Sequence, residues 1–96
     1  MVIAITLDGY KISNATGTGT GTIGAGATGD VSVTLSSTEL AKINHVLGVK
    51  QITVTGATVY LVAFAASGNT VTVTLYNPGT AAASVTVSVT ATVVGN

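Results

Sequence analysis

From residue 84 to residue 94 every second side chain is apolar: Val85, Val87, Val89, Ala91 and Val93 alternate with Thr86, Ser88, Thr90 and Thr92. Successive side chains of an extended strand point to opposite faces, so a period of two fits a half-buried β-strand and not a helix. The same pattern recurs at Val31, Val33 and Leu35, separated by Ser32 and Thr34. Further strands are expected over residues 49–55, with Ile52 and Val54 inward, and over 58–66 and 70–76. Gly56-Ala57, Ser67-Gly68-Asn69 and Asn77-Pro78-Gly79-Thr80 separate them, and this is turn chemistry at hairpin spacing. Four such closely spaced strands imply a meander or a Greek key.

Two stretches depart from simple alternation. Residues 59–66, Val-Tyr-Leu-Val-Ala-Phe-Ala-Ala, are apolar in both alternating sets, which suits a central sandwich strand or an interface. Between the alternating blocks, Ser36-Ser37-Thr38-Glu39 has the form of a capping box. Ser36 would accept from the Glu39 N–H, Glu39 would reach back, and Leu35 with Leu40 would staple the turn. Leu40, Ile43, Val46 and Leu47 then keep helical spacing, and Gly48 suits the position after a helix C-terminus. One short inserted α-helix, about 37–47, is therefore expected.

Residues 1–7 read as a strand apolar on both faces, with Ile3, Ile5 and Leu7 on one and Val2 and Ala4 on the other. Asp8-Gly9 is a turn signal, and Tyr10-Lys11-Ile12 suits a short return strand. Residues 14–30 are built of Gly, Thr and Ala, with glycines at 17, 19, 21, 24, 26 and 29, and are expected to form a flexible or draped linker. Some 17 flexible residues would span about 20–25 Å. An N-terminal strand so tethered could add to a neighbouring subunit's sheet or fold back into its own, and in the first case Val2, Ile3, Ala4, Ile5 and Leu7 are the candidate assembly residues. The expected whole is one domain over residues 1–96: an N-terminal strand region 1–13, a linker 14–30 and a body 31–96. Its fold class is all-β, a small antiparallel sandwich of the jelly-roll or immunoglobulin-like kind carrying the one helix.

Composition narrows the function. Of 96 residues 47% are hydrophobic, whereas only three are basic and three acidic, with a net charge of zero. A chain of this size exposes about 5,000 Å² when folded. Free-standing domains usually cover such a surface with far more charge. Neighbouring subunits are the expected cover. Lys11, Lys42 and Lys50 are the whole basic inventory, too few and too scattered for a phosphate-binding stripe or a polybasic membrane patch, so no nucleic-acid partner is expected. No apolar run approaches the roughly 20 residues of a membrane-spanning helix, and no membrane insertion is expected. With no Cys there is no disulfide, thiolate or cysteine metal cluster. The first residues lack a basic leader and a long apolar run, so cytoplasmic synthesis without a signal peptide is expected.

Motifs that could carry chemistry find plainer explanations. Gly19-Thr20-Gly21-Thr22-Ile23-Gly24 and Gly24-Ala25-Gly26-Ala27-Thr28-Gly29 both spell the dinucleotide-loop pattern. That pattern binds pyrophosphate only where it opens a helix, and here it leads into a strand. His45, the one imidazole, would sit near the end of the expected helix, with no defined nucleophile or orienting group beside it. Asp8, Asp30 and Glu39 match no metal-loop spacing. Asn14-Ala15-Thr16 is an N-glycosylation acceptor sequence. The Thr-x-Thr runs follow from the preference of branched residues for a pleated surface. No catalytic group, metal or cofactor is expected, and the chain is read as a non-enzyme.

The passage Thr70-Val71-Thr72-Val73-Thr74-Leu75-Tyr76-Asn77-Pro78-Gly79-Thr80-Ala81-Ala82-Ala83-Ser84-Val85-Thr86-Val87 resembles, in overall style, small β-sandwich proteins of viral capsids and phage tails. The resemblance and the charge-poor surface imply a structural, self-assembling protein found in a virion (a decoration, turret, minor capsid or tail component). Its partners would be further copies of itself and other proteins of the same assembly. A subunit of an extracellular filament or surface layer shares the same physics. A soluble carbohydrate- or protein-binding module is a third reading. Without Trp, sugar stacking there would fall to Tyr10, Tyr60 or Tyr76.

Overall fold

A computed structural model describes residues 9–96. Six strands run in chain order: β1 (Lys11–Ile23), β2 (Thr28–Thr34), β3 (Ile43–Thr55), β4 (Tyr60–Ser67), β5 (Thr70–Tyr76) and β6 (Ala83–Gly95). They form two antiparallel three-stranded sheets, ordered β1-β6-β3 and β2-β5-β4. The expectation of an all-β chain is met, and the two sheets pack in a sandwich-like way around one apolar cluster. The simple meander is not. Only the β4–β5 hairpin joins neighbours within a sheet, and the other connections pass from one sheet to the other. That hairpin turns on Gly68 and Asn69, with Gly68 at φ +61°, as a tight turn with Gly in first place requires.

The two central strands hold the core. Val85, Val87, Val89, Ala91 and Val93 of β6, and Val71, Val73 and Leu75 of β5, are all buried, as their alternation demands. Val31 and Val33 of β2 join them opposite Val73 and Val71.

The inserted helix over 37–47 is absent among the described residues, and that expectation is corrected. From Ile43 the chain is strand, and its pairing with β6 skips a residue three times, at Asn44, Leu47 and Lys50. Each skip is a β-bulge, where two residues oppose one. Bulges three residues apart keep Ile43, Val46, Val49 and Ile52 on the inner face, packed against the core. A strand thus acquires the apolar spacing of a helix. The capping box dissolves with it. Ser36 instead exchanges backbone hydrogen bonds with Thr16 (Thr16 N–H to Ser36 O, 3.0 Å; Ser36 N–H to Thr16 O, 2.9 Å). The Glu39 N–H donates to the Ser37 Oγ at 3.2 Å, and the Glu39 carboxylate accepts from the Ser13 hydroxyl. Leu35 and Leu40 are both buried, but in the common core and not as a helix staple.

The Gly/Thr linker is the second correction. Lys11–Ile23 is a 13-residue strand, paired along its whole length with β6. The threonines at 16, 18, 20 and 22 face outward, and Ala15, Gly17, Gly19, Gly21 and Ile23 face inward. The glycines are there for want of space. A Cβ on Gly17 would lie 2.3 Å from the Thr34 carbonyl oxygen, one on Gly19 2.5 Å from that of Ser32, and one on Gly21 2.8 Å from Val31 Cγ2. Side-chain-free positions let β1 lie directly on β2 and close that side of the sandwich. The Thr16–Ser36 pair ties the same side.

Candidate functional site

The opposite side is open. There β3 and β4 are the outer strands of their sheets, and no described strand pairs with the far edge of either. The β4–β5 register places Leu61, Phe64 and Ala66 opposite Leu75, Val73 and Val71, on the core-facing side. Tyr60, Ala63, Ala65 and Ser67 take the outer side, and Val62 is the bulged residue between the two sets. All eight residues of β4 are nevertheless exposed. Relative exposure is 59% for Tyr60, 57% for Val62, 50% for Phe64 and 48% for Leu61. Of the two expectations for this segment, a central strand or an interface, the central strand is corrected, since β4 is an edge strand and no described strand pairs with its far side.

A cleft of about 570 Å³ opens at one end of the sandwich, where the segment after β2 and the start of β3 meet the β4–β5 turn. Leu35, Leu40, Ile43, Asn44, His45 and Asn69 help line it. The Asn44 Oδ1 is buried there without a hydrogen-bond partner among the described residues. The hydroxyls of Ser36 and Ser37 and the ammonium of Lys42 complete the polar part of the lining, and no described carboxylate belongs to it.

The residues singled out in the sequence are dispersed. His45 is exposed on β3 opposite Val94, in a strand and not at a helix end. Asp30 accepts from the Thr74 hydroxyl at 2.7 Å, on the outer face of the other sheet. Glu39 lies beside Ser13, and the Lys50 Nζ donates to Asn14 Oδ1 at 3.3 Å. Among the described residues no three His, Asp or Glu side chains gather as a metal site would require. The two dinucleotide-loop patterns fall in β1, in the turn after it and at the start of β2, and neither opens a helix. Val2, Ile3, Ala4, Ile5, Leu7 and Asp8 lie outside the described residues.

Two of the three candidate stacking tyrosines prove to be neighbours. Tyr60 and Tyr76 stand directly opposite each other on the outer face of β4 and β5, both exposed. Sixteen residues separate them in the chain, and only strand register reveals them as neighbours. No protein-family model matches this chain, nor does any curated protein or solved structure.

Proposed function

We propose that this chain is a structural protein that works by self-assembly, with its contacts made on the open side of the sandwich. The observation that carries the reading is β4: an eight-residue edge strand, exposed along its length, with Leu61, Val62 and Phe64 each about half open. Monomeric proteins rarely leave a contiguous apolar patch of this kind uncovered, and an apolar edge strand is itself a template for association. The small charge inventory supports the same reading. The style of the Thr70 to Val87 passage points to a virion as the setting, with the sandwich a minor capsid, decoration, turret or tail component of jelly-roll or immunoglobulin-like kind. Sedimentation from micromolar to hundreds of micromolar, with negative-stain images of the same samples, tests it. Oligomers or particles are expected, and a stable monomer throughout would refute it.

The Tyr60–Tyr76 pair favours a second reading, a carbohydrate-binding module. Two exposed rings on adjacent strands offer a stacking surface for a sugar. Titration with neutral oligosaccharides, followed by tyrosine fluorescence, would show saturable binding that Tyr60→Ala abolishes.

A further inference from the structure

Four strands stand at sheet edges, and three of them are guarded. β1 and β2 lie against each other through Gly17, Gly19 and Gly21, and the Thr16–Ser36 pair ties them. β3 carries bulges at Asn44, Leu47 and Lys50, the last a charged residue. Repeated bulges break the regular spacing of N–H and C=O groups that a pairing strand needs, and an edge lysine repels a like neighbour. β4 has one bulge, no charge and no proline over Tyr60–Ser67. Among the described residues it is the edge left bare.

We infer that the unit of assembly is a two-fold dimer in which the β4 edges of two copies pair antiparallel. The inference rests on the self-assembly reading and adds the surface and the partner. A two-fold contact sets the same patch against itself, so it demands a strand that tolerates its own image. A neutral strand does so without repulsion, whereas a β3 pairing centred near the middle of that strand would bring the two Lys50 ammonium groups close together. Pairing through β4 joins the two β2-β5-β4 sheets into one of six strands. It also brings Leu61 and Phe64 of each copy together on the core-facing side, where cross-strand aromatic and aliphatic pairs stabilise a sheet. The closed β1/β2 sides then face outward at both ends, and no bare edge is left among the described strands.

Sedimentation of the full chain and four variants tests this. The wild type and Leu47→Lys, a bulged β3 position that is 55% exposed, are expected at dimer mass or above. Val62→Lys and Ala65→Lys are expected at monomer mass with an unchanged far-ultraviolet circular dichroism spectrum. Both positions are exposed, so neither lysine displaces a buried group. A chain lacking residues 1–8 is expected to dimerise as the wild type does. Assembly retained by Val62→Lys and Ala65→Lys, or lost in Leu47→Lys, would overturn pairing through β4 and leave self-assembly standing. Loss of assembly on deleting residues 1–8 would overturn it in favour of an N-terminal strand as the added element. A monomeric wild type would overturn both readings.

Discussion

Phe64 and Val73 oppose each other across β4 and β5 on the same face of the sheet, yet Val73 is fully buried and half of Phe64 is open. The apolar face of this sheet therefore continues onto β4, where the facing sheet, with β3 at its edge, leaves it exposed. On the other flank the opposite holds, where β1 lies so close to β2 that no Cβ fits at Gly17, Gly19 or Gly21. A sandwich sealed at one side and open at the other has a direction in which it can grow.

The seal makes a sharp prediction about glycine. Gly17→Ala would drive a methyl group into the Thr34 carbonyl oxygen, 2.3 Å away, with Val33 Cγ1 at 2.9 Å. Overpacking of this kind costs about 1–3 kcal/mol. Gly48→Ala meets nothing within 4 Å and should stabilise β3 by about 0.5–1 kcal/mol, since Gly weakens a strand relative to Ala. Urea unfolding of the two variants should move in opposite directions.

Asn77 pins the β5–β6 connection from within. Its side chain, 3% exposed, donates to the carbonyls of Ile23 (3.0 Å) and Ala81 (2.8 Å) and accepts from the Gly79 N–H (2.9 Å). Asn77→Ala strands these groups, at about 1–3 kcal/mol for each one left buried. A loss of at least about 2 kcal/mol in chemical denaturation is expected.

With no helix, Ser36 contributes through its backbone and not as a cap. Ser36→Ala should change stability by less than about 0.5 kcal/mol. Leu40→Ala, which empties a core position, should cost about 2–5 kcal/mol. A loss near 1 kcal/mol at Ser36 would revive the cap.

Acid should do little harm. Acid unfolding works largely by protonating carboxylates that are bonded in the native state, and this chain has three Asp and Glu in all. Asp30 and Glu39 are both exposed, each bonded to one hydroxyl. Melting temperatures at pH 3 and pH 7 should lie within a few degrees of each other.

How much of this is written in the residues differs from strand to strand. β2, β5 and β6 show it openly, because each buries one face and Val alternates with Thr or Ser. β3 reads as a helix at its start because its bulges stretch the inward period from two to three, which is close to a helical turn. The Gly/Thr run reads as a linker because its glycines answer to the backbone of β2, a neighbour that no local pattern displays. For residues 59–66, apolarity on both faces allows a central strand or an interface equally, and only sheet order rules out the first. The open side was thus legible as an apolar excess without an address.

Hydrogen exchange in β4, followed as the protein is concentrated, tests the central claim most directly. An edge strand leaves half its amides unpaired, and pairing with a second copy would protect them. Pairing through β4 predicts that exchange over Tyr60–Ser67 slows as oligomers form, while exchange in β1 and β3 is unchanged. Exchange in Tyr60–Ser67 that stays equally fast at every concentration, in a sample that sedimentation shows to be assembled, would contradict it.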